Sequence, residues 1–143
     1  MKILIIGQAP PLQTQKVPYD TTLLYDMLSW VNITKEQAQE MFEFEAMSNT
    51  LRGVKNGNHL QPLVGEMRER YYNVLREKIG EANKVILLGN VAKYNCFKFG
   101  INSIKFPQNI LCLIHPSRRN YNKIMANKEE ITNKLKVFLY ELN

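Results

Sequence analysis

Ile3-Leu4-Ile5-Ile6-Gly7-Gln8-Ala9-Pro10-Pro11 is the stretch whose reading decides the fold. Four consecutive apolar residues ending at a glycine describe a strand buried on both faces, the environment a parallel sheet gives its central strands. Two later stretches repeat the pattern. Val85-Ile86-Leu87-Leu88-Gly89 is one, and Ile110-Leu111-Cys112-Leu113-Ile114, which runs into His115-Pro116-Ser117, is the other. Phe42, Phe44 and Ala46 alternate with Glu43 and Glu45 as in a half-exposed strand, whose end points at Ser48-Asn49.

Helical patterns fill the intervals. Asp20-Thr21-Thr22 starts a helix with Leu23, Leu24, Met27, Leu28 and Val31 on one face, and Asn32 suits its left-handed C-cap. Thr34 with Gln37 reads as a capping box for a short second helix. Residues 53 to 61 read as a loop. Pro62 then opens a long helix carrying Leu63, Met67, Tyr71, Val74, Leu75 and Ile79. A further helix follows from about Asn90 to Phe99, and the last runs from about Asn127 to Leu142. The alternation predicts an α/β fold: a three-layer α/β/α sandwich around a mostly parallel, about four-stranded sheet. The length of 143 residues suits a single domain, residues 1–143.

Composition narrows the function classes. The apolar run at the N-terminus is too short for a signal-peptide core or a membrane span, so a cytoplasmic protein with no membrane partner is expected. Cys96 and Cys112 are too few for a disulfide framework or a four-cysteine metal site, and both read as small buried hydrophobes. Nineteen Lys and Arg against thirteen Asp and Glu give a net charge of +6, which favours a polyanionic partner. A monomer is expected.

In open parallel sheets ligands bind beyond the carboxyl ends of the strands. That rule gathers Gln8, Asn49, Gly89-Asn90 and His115 along one edge. Held by Pro116, His115 can donate to negative charge developing on a leaving group, or it can cap the strand end by bonding a neighbouring loop. Gln8 brings a carboxamide, and Pro10-Pro11 stiffen its turn. Tyr19 can stack on a base or staple the following helix, and Asp20 can activate water or serve as that helix's N-cap. Arg118-Arg119 suit phosphate contacts. No glycine-rich phosphate loop is present, which disfavours an enzyme of free nucleoside triphosphates.

Loops of the form GQAPP and HPS, in that order on an α/β sandwich, resemble the uracil-DNA glycosylase superfamily over most of the chain. The sequence is most similar to the thermophilic-type branch, whose first motif reads G-E-A-P-G. Pro18-Tyr19 and the helix from Leu23 to Ile33 match that branch's next block. Ser48-Asn49 through Asn58 and Pro62 align with its T-N-x-V-K-C-x-P-x-x-N-R-x-P segment. Val85–Gly89 with Ala92 fits its LGxxA element, and His115-Pro116-Ser117 fits its last motif.

The resemblance implies a protein that takes a uracil or another damaged base flipped from single- or double-stranded DNA and hydrolyses its N-glycosidic bond. It implies that Tyr19 stacks on the base, Asn49 reads its edge, and His115 stabilises the leaving base; Ala9, Pro10 and Ser117 are expected to bind the substrate, and Arg118 and Arg119, by their own chemistry, DNA. Gln8 stands where the branch has a carboxylate that helps activate water, and Ala9 where other members carry Asp. That leaves Asp20 as the nearest carboxylate in sequence, and Gln8 in a positioning role. The branch's iron-sulfur cysteines are missing, Gly53 standing at one of them, so neither metal nor cofactor is expected. Arg118-Arg119-Asn120 replace the apolar wedge that some members carry after HPS. The alternative is a catalytically weak or inactive module of the same fold that binds nucleic acid or a nucleobase.

Overall fold

A computed structural model describes residues 2–8, 22–49, 54–56 and 58–140. Strands Ile3–Gly7 (β1), Phe42–Ala46 (β2), Lys84–Leu88 (β5) and Ile110–Leu113 (β6) form one sheet in the order β2-β1-β5-β6. Every neighbouring pair is parallel. Residues 54–55 and 58–59, expected as loop, pair instead as a two-stranded antiparallel ribbon, Val54–Lys55 (β3) with Asn58–His59 (β4). Asn56, with φ of 53°, takes the left-handed conformation at its turn, which asparagine tolerates.

β1 explains the layering. All five of its residues are buried, so both faces of the strand need cover. Ile3 and Ile5 point to a cluster built by Thr22–Ser29 (α1), Lys35–Met41 (α2), Tyr121–Ala126 (α6) and Lys128–Tyr140 (α7), through Leu24, Met27, Ala38, Ile124, Leu135 and Leu139. Leu4 and Ile6 point to the opposite cluster, built by Val64–Arg70 (α3), Arg76–Glu81 (α4) and Gly89–Phe99 (α5), through Met67, Ile79, Ala92 and Cys96. Side chains alternate across a strand, so one buried strand serves two cores. The result is the three-layer α/β/α sandwich the pattern predicts.

Local signals explain most boundaries. Asn32 has φ of 63°, as its place after α1 requires. Thr34 and Gln37 exchange both hydrogen bonds of the capping box. Gly100, with φ of 107°, ends α5.

Three further expectations are corrected. The helix expected to open at Pro62 begins at Val64, with Pro62 buried ahead of it and Leu63 49% exposed, so Leu63 is outside the apolar stripe. That helix is not a uniform α-helix, because Tyr71–Leu75 forms a π-helical segment between α3 and α4. The extra residue in that turn keeps Tyr71 on the core face, with its ring 5.5 Å from that of Phe99. The last helix begins at Lys128, as expected from about Asn127, and a separate one, α6, precedes it. Asn127 divides the two, donating through Nδ2 to the Lys123 carbonyl. Cys112 is only half-buried, being on the outermost strand, whereas Cys96 is buried. The helix start expected at Asp20-Thr21 and the helix end expected at Leu142 fall on residues outside the described ones. Among the described residues, no helix is long and apolar enough to cross a membrane.

Candidate functional site

The chain builds β2 on one side of β1 and β5 with β6 on the other, so the connections reverse direction between β1 and β5. Helices leave the two carboxyl ends on opposite faces at such a point, which opens a crevice for ligand. The described site residues stand as two groups flanking it.

On the β1–β2 side the pairing continues past the strands. Met47 N–H donates to the Gly7 carbonyl at 2.8 Å, and Ser48 N–H to that of Gln8 at 3.3 Å. Gln8 is half-buried, Ser48 is buried, and Asn49 next to it is exposed. Ser48 Oγ lies 3.5 Å from Glu66 Oε2, which brings a carboxylate from the first turn of α3 to this edge. Arg70 fixes the end of β2 from the same helix. Its Nε donates to the Ala46 carbonyl at 2.7 Å, and its Nη2 to Glu45 Oε1 at 2.5 Å.

On the β5–β6 side Gly89 and His115 are in contact. Gly89 has φ of 83°, and a methyl group built on it would sit 3.0 Å from His115 Cβ and 3.3 Å from Cδ2. Only glycine combines that backbone with that approach. The His115 carbonyl accepts from Ser117 N–H and from Asn120 Nδ2, both at 2.9 Å, with buried Pro116 between. His115 is therefore held by its backbone on one side and by Gly89 on the other. Burial pushes its imidazole pKa down, and the nearby Arg119 charge adds to the shift. The ring is thus neutral near pH 7, one nitrogen carrying a proton to donate.

That shift has a stability consequence with a defined sign. The folded state holds its proton less tightly than the unfolded chain, whose ordinary value is 6.5. The unfolded state therefore gains protons first as pH falls. The contribution is full above pH 6.5 and is lost below it, towards the lowered folded value. Wild type should melt at a lower temperature at about pH 5.5 than at about pH 7.5, and His115→Gln should flatten that slope. An equal slope in the variant would refute the assignment. Glu43, held below 4.5 chiefly by the hydrogen bond from Lys78, acts in a separate, more acidic window.

Neighbouring strands are spaced by about 4.8 Å, so three intervals put the ends of β2 and β6 roughly 14 Å apart. Gln8 with Ser48, and Gly89 with His115, each meet. Asn49 follows β2 and His115 follows β6, so the two stand on opposite sides of the point where the connections reverse. Ser117 is half-buried, and Arg118 and Arg119 are exposed just beyond it. Ala9, Pro10, Tyr19 and Asp20 lie outside the described residues. Sequence reading missed Glu66, Arg70 and Asn120, which act through partners distant in the chain or through a carbonyl. Gly89 carried a signal, being a lone glycine at the end of a buried strand. Among the described residues, no group of three or more His, Cys, Asp or Glu side chains stands together to hold a metal ion.

The chain matches the model of the Uracil DNA glycosylase superfamily over residues 1–137. Individual curated proteins give no significant match. A match spanning both flanking groups and all four strands of the main sheet shows that the chain belongs to the uracil DNA glycosylase superfamily.

Proposed function

We propose that this protein is a DNA glycosylase that hydrolyses the N-glycosidic bond of uracil or another damaged base, and that it falls nearest the thermophilic-type branch of its superfamily. The observation that carries the reading is the His115 setting: a neutral, half-buried imidazole clamped by Gly89 and by two hydrogen bonds to its own carbonyl. As the bond from sugar C1′ to base nitrogen breaks, the electron pair leaves with the base and positive charge develops on the sugar. A fixed neutral donor at the base oxygen stabilises that anion without first having to be charged. Asn49 reads the base edge from the other side of the crevice, and Arg118 and Arg119 hold phosphates. Gln8 orients the water that adds to C1′ but cannot accept its proton, which passes to the departing base anion so that the base leaves neutral. Glu66, through Ser48, is a described carboxylate at that edge.

The test is excision from uracil-containing oligonucleotides, single-stranded and duplex, with enzyme in excess. Abasic product is expected, falling about 10²- to 10³-fold in His115→Ala. No product above the His115→Ala background overturns the glycosylase reading. Gln8 in place of a carboxylate favours a second reading, a module that binds DNA or a nucleobase without turnover. Saturable, salt-sensitive binding with no abasic product is its signature.

A further inference from the structure

His115-Pro116-Ser117 runs into a segment that exposes cationic and aromatic side chains. Arg118–Asn120 forms a 3-10 turn, and α6 follows at once from Tyr121. Arg118, Arg119, Tyr121 and Lys123 are all exposed, Tyr121 to 49%. The segment is fastened at both ends. Asn120 donates through Nδ2 to the His115 carbonyl at 2.9 Å and through its backbone N–H to Ser117 at 3.0 Å. Further on, Ile124 is fully buried in the core. Arg118 and Arg119 are thereby held in a turn tied to the histidine, Tyr121 and Lys123 follow on α6, and Arg119 is close enough for its charge to bear on the imidazole.

Cations interleaved with an exposed ring suit an unpaired strand: the cations track phosphates while the ring stacks on a base face. A duplex offers the same phosphates, but its base faces are already stacked. For a duplex the ring gains nothing until a base has been unpaired. We propose that Arg118–Lys123 forms a rim selective for single-stranded DNA. Arg118, Arg119 and Lys123 hold its phosphates, and Tyr121 stacks on a base beside the one presented to His115. The proposal rests on the function proposed above and narrows its substrate to unpaired DNA.

Fluorescence anisotropy tests it, with a labelled uracil-containing oligonucleotide alone and annealed to its complement, at equal ionic strength. Wild type should bind the single strand about tenfold more tightly, since stacking on one base accounts for a factor of that order. Tyr121→Ala should lower single-strand affinity by about tenfold, leave duplex affinity unchanged and erase the preference, whereas Tyr121→Phe keeps it. Replacing Arg118 and Arg119 together by Gln should weaken both forms and make binding less salt-dependent. Equal affinity of wild type for the two forms overturns this proposal alone, as does a preference untouched by Tyr121→Ala. Absence of binding to either form overturns it together with the functional reading beneath it.

Discussion

Gly89→Ala is expected to destabilise the protein by roughly 2 to 5 kcal/mol and, on the function proposed above, to lower base excision by about 100-fold. Two costs combine. A side chain at φ of 83° is strained by about 1 to 2 kcal/mol, since the left-handed region crowds Cβ against the backbone. The new methyl also meets His115 Cβ at 3.0 Å, and overpacking of this kind costs about 1 to 3 kcal/mol. The atom it meets is a Cβ rather than the tip of a flexible chain, so relief requires β6 to move away from β5. β6 is the outer strand and β5 is bonded on both sides, so the displacement falls on His115. Urea unfolding should show a lower midpoint at unchanged slope. A midpoint equal to that of wild type would show that the contact is not tight, whatever the catalytic result.

Arg70→Ala is expected to cost about 2 to 3 kcal/mol, near the lower end of what breaking a buried ion pair costs. The guanidinium makes two bonds of different kinds, to the Ala46 carbonyl at the last residue of β2 and to the Glu45 carboxylate. Both side chains of the pair are only 16% exposed, so water replaces those bonds poorly. Lys78 also reaches Glu45, at 2.9 Å, and compensates part of the lost charge. It does not restore the bond to Ala46. Arg70→Lys should therefore recover less than half of the loss, because an ammonium cannot present the planar fork that serves both acceptors. Thermal melting of the three proteins checks this, and full rescue by lysine would refute the double role. Because Ala46 precedes Ser48 and Asn49, the same substitution should weaken DNA binding at temperatures where the variant is still folded.

Legibility followed the range of the interactions. The apolar runs at β1, β5 and β6 were readable as strands, but the pattern did not tell that β6 is an outer strand, half-buried over Ile110–Cys112. Thr34 with Gln37, and Asn32, were readable because capping is local chemistry completed within a few residues. The π-helical segment at Tyr71–Leu75 was not, since its residues fit an α-helix equally well and only packing against Phe99 selects the wider turn. The same holds for the site. His115, Gln8 and Asn49 could be assigned to one edge from strand ends alone. Glu66 and Arg70 could not, because nothing local ties them to Ser48 and Ala46, 18 and 24 positions away. Leu63 misled because apolar spacing was extended one residue past the true start of the helix.

The central place of β1 also bears on how the chain comes together. Its partner β5 lies about eighty residues downstream, as the bond from Lys2 N–H to Asn83 Oδ1, 81 positions apart, marks at the strand's base. During synthesis Ile3–Ile6 leave the ribosome long before either sheet neighbour is complete, and β5 is the later of the two. Such late closure makes for slow maturation and an interval in which an apolar strand is open to chaperones or to other chains. A segment that ends as the best-shielded strand of the native protein thus begins as its most aggregation-exposed one.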